Sequence, residues 1–234
     1  MFFDPLYFVF MLPGLAFMLW AQSKVKGNYA KYSKIPNEAG VTGAQAARRV
    51  LDSQGLNDVA IEAIPGELSD HYDPRKRVLR LSPGVFGQPS IAAIGIAAHE
   101  AGHAIQHAKA YAPLKARTAI VPVVNIGSNI GFGVLFLGII LNTPGLAWLG
   151  VGLFALSTLF ALVTLPVEFD ATRRAKLALV QVGIVDGGVG RGQESQGVAK
   201  VLDAAAWTYI AGFAASLLTL LYYVSLVSGM RRGD

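Results

Sequence analysis

Four long apolar runs alternate with two polar segments along this chain. Residues 6–21, 119–141, 146–167 and 204–227 carry no Asp, Glu, Lys or Arg, and as helices they are about long enough to cross a bilayer. Pro13-Gly14 could kink the first run. Residues 142–145 form a tight turn, so the second and third runs read as a helical hairpin. Pro166, at the end of the third, is expected to break or bend the helix just before Glu168. The fourth run is entered by a helix from about Gly197.

The first polar segment, residues 24–117, has finer structure. Residues 42–54 show the helical spacing of Ala46, Ala47, Val50 and Leu51, with Gly55 placed to cap the C-terminus. Residues 59–64 are a short apolar run that reads as a strand. Residues 68–72 and 78–82 flank the turn sequence Asp73-Pro74-Arg75-Lys76 and read as a hairpin. Residues 83–89 read as a loop, followed by a helix over 91–108. In the second polar segment, residues 185–196 are glycine-rich. They lack G-K-[ST] and a preceding strand, which excludes a phosphate cradle.

Within the second apolar run, Asn125, Ser128 and Asn129 form one polar stripe. It reads as interhelical hydrogen bonding, aided by Gly127 and Gly131 as a small-x-x-x-small contact; the alternative is the lining of a wet cavity.

Composition turns these runs into membrane spans. Of 234 residues, 53% are hydrophobic, 15% are charged and the mean hydropathy is +0.46, outside the usual range for a soluble domain. Cysteine is absent, which excludes disulfides and thiolate ligands. The net charge of +5 comes without a basic-aromatic module, so nucleic acid is not expected as a partner; the lipid bilayer is. Thirteen Lys/Arg lie in residues 24–117 and five in 168–203, against two at the C-terminus. The positive-inside rule puts both polar segments in the cytoplasm and both termini outside, with Arg231 and Arg232 on the wrong side. Residues 1–7 lack a basic n-region, so the first run reads as an uncleaved anchor and not a signal peptide.

The chemistry concentrates in residues 91–108, I-A-A-I-G-I-A-A-H-E-A-G-H-A-I-Q-H-A. Four residues apart on a helix, His99 and His103 share a face about 6 Å apart and can reach one metal ion. Glu100 can lie beside a metal-bound water. This H-E-x-x-H arrangement is that of zinc peptidases, with the glutamate as general base. A catalytic zinc usually has a third protein ligand. His107 lies about 12 Å from His99 along the helix, too far to share its ion, and reads as a surface residue or a partner to a ligand. Glu168, in L-P-V-E-F-D-A-T-R-R-A at the end of an apolar span, is the better candidate. Its alternative is an interfacial charge paired with Arg173 or Arg174. Ala171, Thr172 and Ala175 would share its helical face, and they are small enough for close packing against the H-E-x-x-H helix. Asp170 reads either as a cap or Arg partner, or as a hydrogen-bond acceptor for a ligand imidazole. For an oxyanion donor the sequence offers His71, Tyr72, Tyr111, Arg173 and Arg174; His71 reads equally well as a hairpin surface residue. A rival third ligand is Asp186, in Val185-Asp186-Gly187, as in site-2-type intramembrane proteases. Asp186 is not in an apolar run and no N-P element precedes it.

H-E-A-G-H-A-I-Q, the upstream D-H-Y-D-P and V-L-R-L-S, the downstream Y-A-P-L and N-I-G-S-N, and L-P-V-E-F-D-A-T-R-R-A together resemble the YugP-like family of neutral zinc metallopeptidases of bacterial membranes, over nearly the whole chain. The resemblance extends to the gluzincin membrane proteases. It implies Zn2+ as cofactor, His99, His103 and Glu168 as ligands, and Glu100 as base. It also implies hydrolysis of a peptide or protein substrate, membrane proteins among the candidates, in a bacterial inner membrane. Those gluzincins read E-F-x-A-D where this chain has Thr172 in place of the aspartate.

The expected architecture is mainly α, with four transmembrane helices and a small cytoplasmic zincin-like α+β portion. In order, this is an anchor (1–22), a cytoplasmic segment with the H-E-x-x-H helix (23–118), a transmembrane hairpin (119–167), a cytoplasmic segment with the third ligand (168–203), and a fourth transmembrane helix with a tail (204–234). A membrane scaffold that keeps the fold without turnover is the alternative from another class.

Overall fold

The computed structural model describes residues 4–186 and 192–230. The centre of the glycine-rich run, residues 187–191, lies outside the described residues, as do Arg231, Arg232 and the side chain of Asn129. The chain is mainly helical: α1 (Pro5–Tyr32), α2 (Gly43–Ser53), β1 (Ala60–Ala63), β2 (His71–Asp73), β3 (Val78–Leu81), α3 (Pro83–Phe86), α4 (Ile91–Ala108), α5 (Ala112–Ile140), α6 (Pro144–Gln181) and α7 (Gln193–Met230). Four of these helices, α1, α5, α6 and α7, are long and apolar enough to cross a membrane. The chain divides into two compact units.

The first unit comprises Met1–Ala21, Lys115–Pro166 and Thr208–Asp234. Its helices approach closely where side chains are smallest. A Cβ on Gly131 would lie 2.8 Å from Leu153 Cβ, one on Gly127 2.7 Å from Leu156 Cδ1, and one on Gly14 3.1 Å from Ala215 Cα. Gly138 and Gly150 meet the backbones of Ala147 and Leu135 across the α5–α6 hairpin. The expected glycine contact in α5 is therefore present. Ser128, however, hydrogen-bonds Val124 O of its own helix (2.7 Å) and not a neighbour. Thr158 and Ser216 share a hydroxyl–hydroxyl bond of 2.8 Å between α6 and α7. Large apolar residues such as Leu12, Leu19, Ile130, Phe136 and Leu159 remain exposed, the surface a hydrocarbon environment accepts.

The second unit comprises Gln22–Leu114 and Val167–Trp207. Helix α2 opens with a reciprocal Thr42/Gln45 capping box and ends at Gly55, whose φ of +71° suits glycine. Strand β3 is central. It pairs antiparallel with β2 (Tyr72 opposite Leu79) and parallel with β1 (Ile61 opposite Leu79). Arg80 of β3 ties the sheet together, reaching Asp73 of β2 (3.0 Å) and Glu62 of β1 (3.2 Å). Residues 83–86 form a short helix where a loop is expected, because Pro83 at its first turn needs no N–H partner. Helix α4 starts on Ser90, whose Oγ accepts from Ala93 N–H. Its alanine- and glycine-rich body is buried against α2 and the strands.

The helix does not break at Pro166. α6 runs unbroken from Pro144 to Gln181, so Glu168 sits inside a helix and not at a new helix start. Proline removes one rung of the hydrogen-bond ladder, and an apolar helix of this length can carry that loss as a local adjustment. α7 is likewise continuous from Gln193, before the expected entry near Gly197.

Candidate metal centre

Two helices build the site. α4 supplies His99, Glu100 and His103; α6 supplies Glu168, 69 residues beyond His99. What lets them meet is the glycine inside the motif. A Cβ at Gly102 would lie 2.7 Å from the carbonyl oxygen of Ala171, so the two backbones touch there. Ala171 and Ala175 are fully buried, as the small-residue face of α6 leads one to expect.

At this crossing the ligand-type atoms of His99, His103 and Glu168 all lie within 4.8 Å of one another, forming a possible metal site. Glu168 Oε2 is 3.2 Å from His99 Nε2 and 3.5 Å from His103 Nε2. The imidazoles stand edge to face, centroids 4.9 Å apart at 86°. Glu168 is only 2% exposed. A carboxylate that deep needs a cation or strong donors.

The far sides of both imidazoles are engaged. Thr172 Oγ1 lies 3.3 Å from His99 Nδ1, and Gln106 Oε1 lies 3.0 Å from His103 Nδ1. These contacts leave both Nε2 atoms facing the Glu168 carboxylate, and a lone pair there opposes an anion unless a cation lies between. The donor set, two imidazole nitrogens and one carboxylate on rigid helices, matches the composition of a catalytic zinc site. Glu100 lies between the two histidines in sequence. Burial pushes its carboxyl up from the ordinary range, with His103 and then His99 pulling it partly back. That direction suits a general base.

The other expected residues distribute as follows. Asp170 is buried and is not a member of the three-residue cluster. It accepts from Arg173 (2.7 Å), Arg174 and the amide of Gln106 (2.9 Å). Asp170 is thus a partner of both arginines, and the group that meets a ligand imidazole is Gln106, at His103 Nδ1. Arg173 and Arg174 are thereby committed to Asp170, and Arg174 also stacks 5.7 Å over the Tyr111 ring. His107 is exposed and shares a 2.9 Å hydrogen bond with the Tyr72 hydroxyl. It is a surface residue, not a member of the ligand cluster. His71 is exposed on β2 with Nδ1 2.9 Å from Ser69 O, as its surface reading has it. Among the described residues, the cluster contains Glu168 and not Asp186.

Gln106 and Thr172 are the residues that the sequence did not single out for these contacts. The signal for Gln106 was an amide three residues after His103, on the same helical face; for Thr172, it was the position four residues after Glu168.

Comparison with known proteins agrees with this chemistry. A family model described as "Putative neutral zinc metallopeptidase" matches residues 7–228. The Bacillus subtilis (strain 168) protein named "Putative membrane protease YugP" is 47% identical over 221 residues, covering 94% of this chain and 96% of that one. No solved structure matches. With the match spanning nearly the whole length, the chain belongs to the YugP-like family, the one described as "Putative neutral zinc metallopeptidase".

Proposed function

We propose that this protein is a membrane-integral, zinc-dependent metallopeptidase that hydrolyses peptide bonds at the cytoplasmic face of the membrane. The observation that carries the reading is the convergence of His99, His103 and Glu168 from two helices, with Glu100 next to His99 on the same helix. When bound there, a zinc ion would supply Lewis acidity, acidifying a water and polarising a scissile carbonyl. Glu100 takes the proton of the attacking water onto its carboxylate and returns it to the leaving amine. Thr172 and Gln106 orient the two imidazoles, and Gly102 lets Glu168 come within reach.

A peptide or protein substrate, membrane proteins among the candidates, fits the surroundings. Strand β2 is an edge of the sheet and also packs against α4. An extended peptide can add to such an edge through main-chain hydrogen bonds. The cytoplasmic assignment rests on the thirteen and five Lys/Arg of the two polar segments. The test is cleavage of a broad peptide library by purified full-length protein in detergent, with and without chelator. Zinc-dependent cleavage that Glu100→Gln abolishes is expected. Cleavage that survives both treatments, or none by the zinc-loaded protein, overturns the reading.

A further inference from the structure

The contacts behind His103 differ from those behind His99. His99 Nδ1 faces a threonine hydroxyl, which can donate or accept, at 3.3 Å. His103 Nδ1 faces Gln106, whose side chain is fully buried and fully committed. An amide NH2 has two donors. One goes to Val167 O at 2.7 Å, the other to Asp170 Oδ2 at 2.9 Å. Neither partner can donate: one is a backbone carbonyl, the other a carboxylate already held by Arg173 and Arg174. Turning the amide over would set its oxygen against two acceptors, at the cost of a buried unsatisfied pair. The amide orientation is therefore fixed by the network, and Oε1 is left for His103.

We infer that Gln106, held by Asp170 and the two arginines, is a positioning residue that locks His103 in the tautomer with its proton on Nδ1. An amide oxygen accepts only, so His103 must present N–H to it, and Nε2 keeps its lone pair towards Glu168 and the space shared with His99. The chain Arg174–Asp170–Gln106–His103 crosses from α6 back to α4. It fixes the ring plane as well as the proton, and its carboxylate charge is matched by guanidinium before it reaches the imidazole. This inference rests on the metal-centre reading above.

Three measurements on full-length protein in detergent test it. First, nitrogen-15 NMR of histidine-labelled, zinc-loaded wild type should show the His103 proton on Nδ1; a proton on Nε2 overturns the proposal without any mutation. Second, Gln106→Met keeps the volume and removes the hydrogen bonds. It should weaken zinc affinity, read by competition with a chromophoric chelator, by about 10–100-fold. Third, Gln106→Glu retains the acceptor but sets a carboxylate against Asp170. Its zinc affinity should fall and be partly restored by adding Asp170→Asn, which supplies an amide donor in place of the lost one. Rescue by that exchange is not expected of a residue that merely fills space. Unchanged affinity in Gln106→Met, or no rescue by the exchange, overturns the positioning role while leaving the metal centre standing. A wild type that takes up no zinc overturns both.

Discussion

The backbone of Gly102 rests against the carbonyl of Ala171, with no room for a Cβ between them. Glu168, three residues before Ala171 on the same helix, reaches both histidines that flank Gly102 in sequence. Gly102→Ala tests this dependence. Alanine would gain about 1 kcal/mol in a free helix, but a methyl 2.7 Å from a backbone oxygen forces the helices apart, and overpacking costs about 1–3 kcal/mol. The variant should show a lower thermal midpoint and weaker zinc binding together. A higher midpoint with unchanged affinity would show that the close crossing does not set the site.

Glu100→Gln separates chemistry from metal binding. The amide cannot take a proton from water, while the three candidate ligands are untouched. Activity should fall by about a hundred- to ten-thousand-fold, with zinc content unchanged. Both are read on one preparation, by turnover and by metal analysis.

Asp170 is 8% exposed and is held by two arginines of unequal burial, Arg174 with 19% and Arg173 with 67% of its side chain accessible. Arg174→Ala removes the sheltered partner and should cost roughly 1–3 kcal/mol. Arg173→Ala removes an exposed, solvent-screened one and should cost less. Thermal melts of the two variants, compared with wild type, give the order directly.

Sheet stability should depend on acid through Asp73. The Lys76 N–H, then the Arg80 guanidinium and the Arg75 N–H, hold its carboxyl below the ordinary value of 3.8, against a desolvation cost. A carboxyl with a depressed folded-state pKa adds stability above its unfolded pKa, and that stability is lost as pH falls through the folded value. Asp73→Asn should therefore melt below wild type at pH 7. The gap should close as pH is taken below about 4. A gap that persists at low pH would assign the effect to packing.

The four long apolar helices were legible because each is written as a long uncharged run, and H-E-x-x-H was legible because it is local. Helix ends were not. α1 runs on to Tyr32 and α6 to Gln181 through charged sequence, since hydropathy marks the length that suits lipid and not where the backbone ladder stops. Pro166 misled for a related reason, as one missing N–H does not end a 38-residue helix. The parallel β1–β3 pairing and the Gln106–Asp170 bond join residues 18 and 64 positions apart. Such pairings leave no periodic trace. Glu168 was legible only as a buried-type carboxylate in an unusual place; that it meets His99 and His103 is a property of the helix crossing.

Metal content is the most direct check on the account. Purified wild type and Glu100→Gln should each hold one zinc per chain, and Glu168→Ala should lose it while remaining folded. Full zinc occupancy in Glu168→Ala would contradict the three-residue centre on which the proposed hydrolysis depends.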